Sequence, residues 1–211
     1  MTTHADPASA SAPDTPAEAS PAATVDDRHI SPWTTRQKIG RVLWWFVQAT
    51  VWRWSWHSSY GYRRWVLRRF GATVDPAARI RPSVRIECPW NITLGANSVV
   101  GDFANLYALG RITIGDRVTV SQHVHLCAGT HDYTKPDFPL IKPPITIEND
   151  AWIAADAFVG PGVKIGKGAI LGARGCAFKD MDSWSIYGGN PAKRLASRPA
   201  SPAPEEDSDH V

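Results

Sequence analysis

The sequence predicts an all-β solenoid, a parallel β-helix wound from hexapeptide repeats, with a helical segment on its N-terminal side. Three observations predict it. Aliphatic residues recur every six positions at Ile147, Ile153, Val159, Ile165 and Leu171, and Ala177 closes the series. The position four residues after each beat is mostly small (Ala151, Ala157, Ala169 and Gly175, with Val163 the exception), and Gly160, Gly166 and Gly172 directly follow three of the beats. The same beat returns upstream in pieces, at Leu94, Val100 and Leu106 and again at Ile114, Val120 and Leu126. Such a period fits neither the 3.6 of a helix nor the 2 of a simple strand. It fits a chain that turns a corner after each short strand and sends one aliphatic side chain inward per side. The glycines are expected to supply the backbone freedom for those corners.

In chain order, residues 1–30 come first. Residues 1–27 are rich in Ala, Pro, Ser, Thr and Asp and contain no aromatic residue. They bury too little apolar surface to order themselves, and they lack the basic start and apolar middle of a secretory signal. They read as a disordered extension.

Residues 31–72 differ sharply. Most of the ten tryptophans fall between Trp33 and Trp90, eight Lys or Arg residues lie from Arg36 to Arg69, and no Asp or Glu occurs between Asp27 and Asp75. Two helices are predicted, about Thr34 to Trp54 and Tyr62 to Phe70, the second stopped by Gly71. The apolar runs are too short to span a bilayer, which takes about 20 apolar residues. Two roles suit the segment. It can cover the open end of the solenoid, with Trp as core and Arg as solvated rim. It can also lie in a membrane interface against anionic lipid. Nucleic acid is not an expected partner, because no base-reading motif accompanies the charges.

The solenoid is placed at 73–190, with Ile80, Ile86 and Ile92 as an early, degenerate run. The step from Leu106 to Ile114 is eight residues, about two more than the period, and the beat breaks altogether between Leu126 and Ile147. That interruption, 128–144, holds His131, Asp132, Tyr133, Phe138 and four prolines. A long excursion from a regular solenoid is usually functional. Residues 191–211 read as a tail, polar, acidic and expected to be disordered from Ala200 onward. The net charge of +3 says little about partners. The three cysteines, Cys88, Cys127 and Cys176, form no pairing motif, which favours a reducing compartment over a disulfide framework. Cys127 lies four residues before His131, so a nucleophilic Cys–His pair stands beside the plainer reading of a small buried side chain. His123 and His125 sit inside a regular hexad and are expected on the outer surface of a coil.

From Phe70 to Leu195 the sequence resembles the hexapeptide-repeat acyltransferases, and among them the colanic acid biosynthesis O-acetyltransferases. The resemblance is carried by Arg69-Phe-Gly-Ala72, Pro89-Trp-Asn91, Leu126-Cys-Ala-Gly-Thr-His-Asp-Tyr133, Pro144-Ile-Thr-Ile-Glu148, Ala151-Trp-Ile-Ala-Ala155 and Gly188-Gly-Asn-Pro-Ala-Lys193. It implies a left-handed β-helix, a hand that periodicity does not give and that departs from ordinary crossovers. It implies transfer of acetyl from acetyl-CoA to a saccharide hydroxyl in exopolysaccharide or cell-surface glycan biosynthesis. His131 matches the family's general base. A sugar hydroxyl is a poor nucleophile until its proton is taken, and imidazole can take it at neutral pH. No covalent acyl-enzyme and no metal are implied. For CoA the resemblance points to Ala155, Ala173, Phe178, Lys179 and Lys193, with Trp152 beside the groove and Arg194 adding a phosphate contact. For the acceptor it points to Asn105 and Tyr107, and Asp132 is expected to orient His131 or bind acceptor.

The resemblance also implies a homotrimer in which one subunit's histidine meets its neighbour's CoA groove. A cytoplasmic enzyme is expected, acting on a free or lipid-linked saccharide and touching the inner face of the cytoplasmic membrane peripherally through residues 34–70. Removing residues 30–70 should then lower membrane recovery and leave the reaction intact. Other acceptors (an amino sugar, serine or an antibiotic) stay open. So do a zinc hydratase of the γ-carbonic anhydrase type, which would need His123, His125 and His131 on one metal, and a non-catalytic scaffold.

Overall fold

The computed structural model describes residues 31–199. The disorder expected of residues 1–30 and of those from Ala200 onward falls outside them. From Thr73 the chain winds as a parallel β-solenoid of three faces. The first face stacks Thr73–Val74, Ile92–Leu94, Ile112–Ile114, Ile145–Ile147 and Lys164–Ile165. The second stacks Arg79–Ile80, Val99–Val100, Thr119–Val120, Trp152–Ile153, Ile170–Leu171 and Ser185–Gly188. The third stacks Arg85–Ile86, Asn105–Tyr107, His125–Cys127, Phe158–Val159 and Cys176–Ala177.

Register explains the beat. On the first face Val74, Leu94, Ile114, Ile147 and Ile165 sit directly over one another from coil to coil. All are buried, as are the equivalent columns on the other two faces as far as Leu171 and Ala177. Each such aliphatic side chain contributes about 1.5–3 kcal/mol by leaving water. The small residues four after each beat, Ala151, Ala157 and Ala169 among them, are buried where the interior narrows at the corners.

Two details differ from the sequence reading. The first-face beat of the second coil is Leu94, with Ile92 also buried two residues earlier. The step from Ile86 to Leu94 is therefore widened by the same two residues as the step from Leu106 to Ile114. The glycines after the beats also act differently from expectation. Gly101, Gly160, Gly166 and Gly172 do not have positive φ; the left-handed corner positions, three residues after a beat, are taken by Asn97, Phe103, Arg117, His123, Asp150, Asp156 and Arg174, with φ between 54 and 66°, and by Gly162 and Gly168, with φ of 81 and 67°. What excludes a side chain at Gly101 is the neighbouring coil: an added Cβ would lie 2.8 Å from the backbone N of Gln122 and 2.8 Å from the carbonyl carbon of Ser121. Close backbone approach, not turn geometry, selects glycine there.

The fold also continues past Asn190, where a tail was expected. After a reversal at Gly189 (φ 88°) and a cis Asn190–Pro191 peptide, Lys193–Ser197 pairs antiparallel with Ser185–Gly188 and closes the edge of the second face.

The open end at the first coil is covered by the aromatic, basic segment. Helix α1 (Thr35–Val47) starts at a capping box between Thr34 and Gln37 and runs on through a π-helical turn, Gln48–Trp52. Helix α2 spans Tyr60–Arg69. Their inward side chains satisfy backbone groups that have no coil above them. Arg68 donates to the Val74 carbonyl (2.9 Å through Nε), Arg64 to Ala78 (3.0 Å), Arg63 to Ile80 (2.6 Å) and the Trp44 indole to Ile86 (2.6 Å). The Gln48 side-chain oxygen accepts from the Ile86 N–H at 2.6 Å. Trp44, Trp52, Val66 and Leu67 are buried against the coil. Deleting residues 30–70 would strip these partners from the first coil, so that deletion cannot isolate a membrane role from the fold.

Candidate active site

The widened corner between the third and first faces carries the site. In the third coil it expands into the loop 128–144, whose arms Thr130–His131 and Leu140–Ile141 pair as an antiparallel hairpin. The floor beneath is fixed by the second coil. Pro89–Asn91 forms a 3₁₀ turn from which Asn91 Nδ2 donates to the carbonyls of Ala108 and Leu109, both at 2.9 Å. Gly110 N–H then donates to the Ala128 carbonyl at 2.6 Å. An added Cβ at Gly110 would sit 2.5 Å from the Lys142 carbonyl oxygen, so only glycine lets the loop's two ends pass there. Trp33 holds the returning arm to the helical cap: its ring lies 3.8 Å from Lys142 Nζ on one contact and 4.4 Å from the Arg41 guanidinium on another.

Within the hairpin, His131 is exposed and its Nδ1 lies 2.6 Å from the Phe138 carbonyl oxygen. A carbonyl oxygen only accepts, so Nδ1 carries the hydrogen in the neutral ring and Nε2 keeps its lone pair. The turn that aims this carbonyl is tight: Asp132 N–H donates to the Pro139 carbonyl at 3.0 Å, Phe138 N–H to Lys135 at 3.2 Å, and Phe138 itself has φ 47°. Asp132 does not hold the imidazole. Its Oδ1 accepts from the Thr134 hydroxyl (2.6 Å) and the Thr134 N–H (3.1 Å). Those bonds keep its carboxyl below the usual range.

The other residues singled out from the sequence fall into separate groups. Phe178 and Lys179 lie on the same edge as His131, two coils further along, with Gly160–Gly162 between; at about 4.8 Å per coil that is about 10 Å. Ala155 and Ala173 lie on a different edge, between the second and third faces, where Arg174 N–H donates to the Ala155 carbonyl. Trp152 projects from the second face, half exposed, with its indole N–H 3.0 Å from Ser121 Oγ. Lys193 and Arg194 begin the closing strand of that face, and Arg194 is engaged by Ser185 Oγ (3.1 Å) and Ser197 Oγ (2.7 Å). Asn105 and Tyr107 project from the third face, between the two edges. Asn105 also lines a groove of about 590 Å³ between the cap and that face, with Trp45, Arg53, Arg85 and Phe103 among its walls. One chain therefore does not bring His131 together with Trp152, Ala155 and Ala173.

Two alternatives can be tested on this geometry. His123 lies at the second edge, stacked on Phe103 at 5.1 Å. His125 is half-buried on the third face, more enclosed than expected, between the rings of Tyr107 (6.3 Å) and Phe158 (5.4 Å), and burial lowers its pKa. With His131 on the third-to-first edge, the three do not converge, and no group of three or more His, Cys, Asp or Glu suited to a metal occurs among the described residues. Cys127 points its thiol at the Gly129 carbonyl (3.3 Å), and burial raises its pKa. Both disfavour the thiolate a nucleophile needs. Cys127→Ala should leave turnover unchanged in a labelled acetyl-transfer assay, whereas loss of activity would restore the Cys–His reading. Sequence reasoning missed the Phe138 carbonyl, Asn91 and the Trp33–Lys142 tether. Only Asn91 left a trace, inside the Pro-Trp-Asn motif.

Comparison with known proteins bears on this geometry. Residues 144–174 match the family model "Bacterial transferase hexapeptide (six repeats)". Among solved structures, galactoside acetyltransferase in complex with coenzyme A superposes with a TM-score of 0.72 at 24% identity, covering 79% of this chain and 84% of that one. A hexapeptide-repeat acetyltransferase from Vibrio cholerae O1 biovar eltor, complexed with acetyl coenzyme A, gives a TM-score of 0.71 at 22% identity, covering 82% and 95%. These place the solenoid among the left-handed parallel β-helices. Over 156 residues, 74% of this chain and 86% of the relative, the sequence is 46% identical to the "Putative colanic acid biosynthesis acetyltransferase WcaF" of Escherichia coli (strain K12). With that identity over most of both chains, the chain belongs to the hexapeptide-repeat acetyltransferases of the WcaF family.

Proposed function

We propose that this chain is an O-acetyltransferase moving acetyl from acetyl-CoA to a saccharide hydroxyl, in exopolysaccharide or cell-surface glycan biosynthesis, with His131 Nε2 as the general base. The observation that carries the reading is the bond from Nδ1–H to the Phe138 carbonyl. It leaves the lone pair of Nε2 outward and stabilises the imidazolium that forms when the hydroxyl proton arrives. The hydroxyl oxygen attacks the thioester carbon, the tetrahedral oxyanion collapses, and CoA leaves as the thiol, taking the proton back from the imidazolium. The product is an acetyl ester, with the base returned neutral.

The division of residues between edges supports a homotrimer, because a groove built from Trp152, Ala155 and Ala173 can meet His131 only across a boundary between subunits. Lys179, Lys193 and Arg194 are then the candidates for the CoA phosphates, Phe178 for its apolar portion, and Asn105, Tyr107 and Asp132 for the acceptor. The setting is the cytoplasm, with a free or lipid-linked saccharide as acceptor and the cap of residues 34–70 turned toward the membrane.

Two measurements test this. Labelled acetyl-CoA offered with cell-envelope glycan precursors should give a product whose label is released by mild alkali, as an ester's is; an alkali-stable amide would overturn transfer to oxygen. Sedimentation equilibrium should give three times the 23.1 kDa chain mass. A fully active monomer would overturn the shared site.

A further inference from the structure

Helix α1 carries two apolar faces, back to back. Trp44 and, beyond it in the π turn, Trp52 point into the first coil and are buried. Ile39, Val42, Leu43 and Phe46, spaced i, i+3, i+4 and i+7, face away from it and are all more than half exposed. A surface helix of a globular protein presents one such stripe to its own core, not a second one to water. Past the helix, Trp54 is 85% exposed and Trp65 59%. At the border of this surface an apolar groove of about 570 Å³ opens, lined by Ile39, Leu43, Phe70 and Trp90 together with Arg36 and Arg69.

The cations divide as the apolar residues do. Arg63, Arg64 and Arg68 turn inward onto carbonyls of the first coil. Arg36, Lys38, Arg53 and Arg69 remain exposed. The sequence offers no carboxylate of its own between Asp27 and Asp75 to offset them. Glu87, which reaches the segment from the first coil, is taken by Arg41 at 2.6 Å. The chain's N-terminal extension is a poor cover for this surface, since residues 1–27 contain no aromatic residue.

A large exposed apolar patch marks an interaction surface. Indole rings and cations around an amphipathic helix match the two layers of an anionic bilayer, with the rings at the level of the acyl boundary and the cations at the headgroups. We propose that the outer face of α1, with Trp54 and Trp65, is a docking surface for an anionic phospholipid bilayer, on which the solenoid stands end-on. The inference deepens the acetyl-transfer reading and rests on it only for the acceptor. With a helix diameter of about 10 Å and about 4.8 Å per coil, the third coil holds His131 on the order of 20 Å from the lipid. The hydroxyls within its reach belong to saccharides carried on that surface.

Flotation of the full-length chain tests the docking directly. Vesicles of phosphatidylcholine mixed with phosphatidylglycerol should carry the protein up the gradient, and vesicles of phosphatidylcholine alone, or high salt, should reduce recovery at least about tenfold. The variant Leu43→Ala/Phe46→Ala/Trp54→Ala should lose at least about tenfold while keeping its circular dichroism and melting temperature, because these side chains are exposed. Arg36→Glu/Lys38→Glu, which leaves the apolar face intact, should lose recovery to a similar extent and provides the test if the triple variant misfolds. His131→Ala should float as the wild type does, so a failed catalytic reading and a failed docking reading look different. Wild-type protein that stays at the bottom with both vesicle types overturns the proposal, as does either cap variant floating normally. A patch-dependent self-association without flotation also overturns it, and assigns the surface to a second copy of the chain.

Discussion

Replacing His131 by alanine is expected to lower kcat by about 10²–10⁴-fold, the usual contribution of a positioned general base. The effect should fall on kcat more than on the KM for acetyl-CoA. His131 is assigned to the proton of the acceptor hydroxyl, and the cofactor contacts are assigned to other side chains. His131→Gln should not rescue turnover: a side-chain amide fits the space but has no comparable basicity. Steady-state kinetics with labelled acetyl-CoA would decide, and a variant within about threefold of wild type would remove His131 from the chemistry. The hairpin that carries the residue is exposed, so the substitution should leave the melting temperature unchanged, which separates a catalytic loss from a folding one.

The second large effect is expected far from the chemistry. Arg63→Ala should reduce the free energy of unfolding by about 3–5 kcal/mol, in the range for breaking a buried charged network. Arg63 is completely buried. Its guanidinium donates to the Ile80 carbonyl at 2.6 Å, Ser55 Oγ at 2.8 Å, the Trp56 carbonyl at 2.9 Å and the His57 carbonyl at 2.7 Å. Burial pulls its pKa down, so the charge itself is costly in this position. Truncation relieves that cost. It also leaves a cavity and several carbonyls without a donor, each worth about 1–3 kcal/mol when buried, and the second effect outweighs the first. Arg63→Lys should recover only part of the loss, because one ammonium on a flexible stem cannot reproduce the planar fork. Chemical denaturation of both variants would measure this. Unchanged midpoints would mean that the cap is not held by this residue.

Much of the fold was legible because a solenoid writes its geometry into the sequence. Each inward position repeats its side-chain class once per strand, so Ile147 to Ala177 spelled out the last coils directly. The weaker upstream pieces became clear only when the widened corner was seen, since Ile92 keeps the spacing while Leu94 keeps the register. The glycines directly after the beats were recognised for the wrong reason: a sequence shows that a side chain is missing, not whether a dihedral or a neighbouring backbone requires it. In the site, His131 stood out because a phase break isolated it. The bond that sets its tautomer was invisible, because any residue at 138 offers a carbonyl. Asp132 looked like the natural partner by adjacency, yet an aspartate followed two residues later by threonine closes its own turn. The strand Lys193–Ser197 was hidden by a polar composition, which suits an antiparallel edge as well as it suits a tail.

The widened corner between the third and first faces has a consequence for how such proteins diversify. It recurs in the first two coils as two additional residues and in the third as the full excursion 128–144, while the step from Val159 to Ile165 is unexpanded. Variation in length is thus confined to a single seam of the molecule, and the aliphatic columns on either side keep their alignment whatever is inserted there. An excursion there can change in length without renegotiating the interior. The seam is the natural place to graft new specificity onto this scaffold.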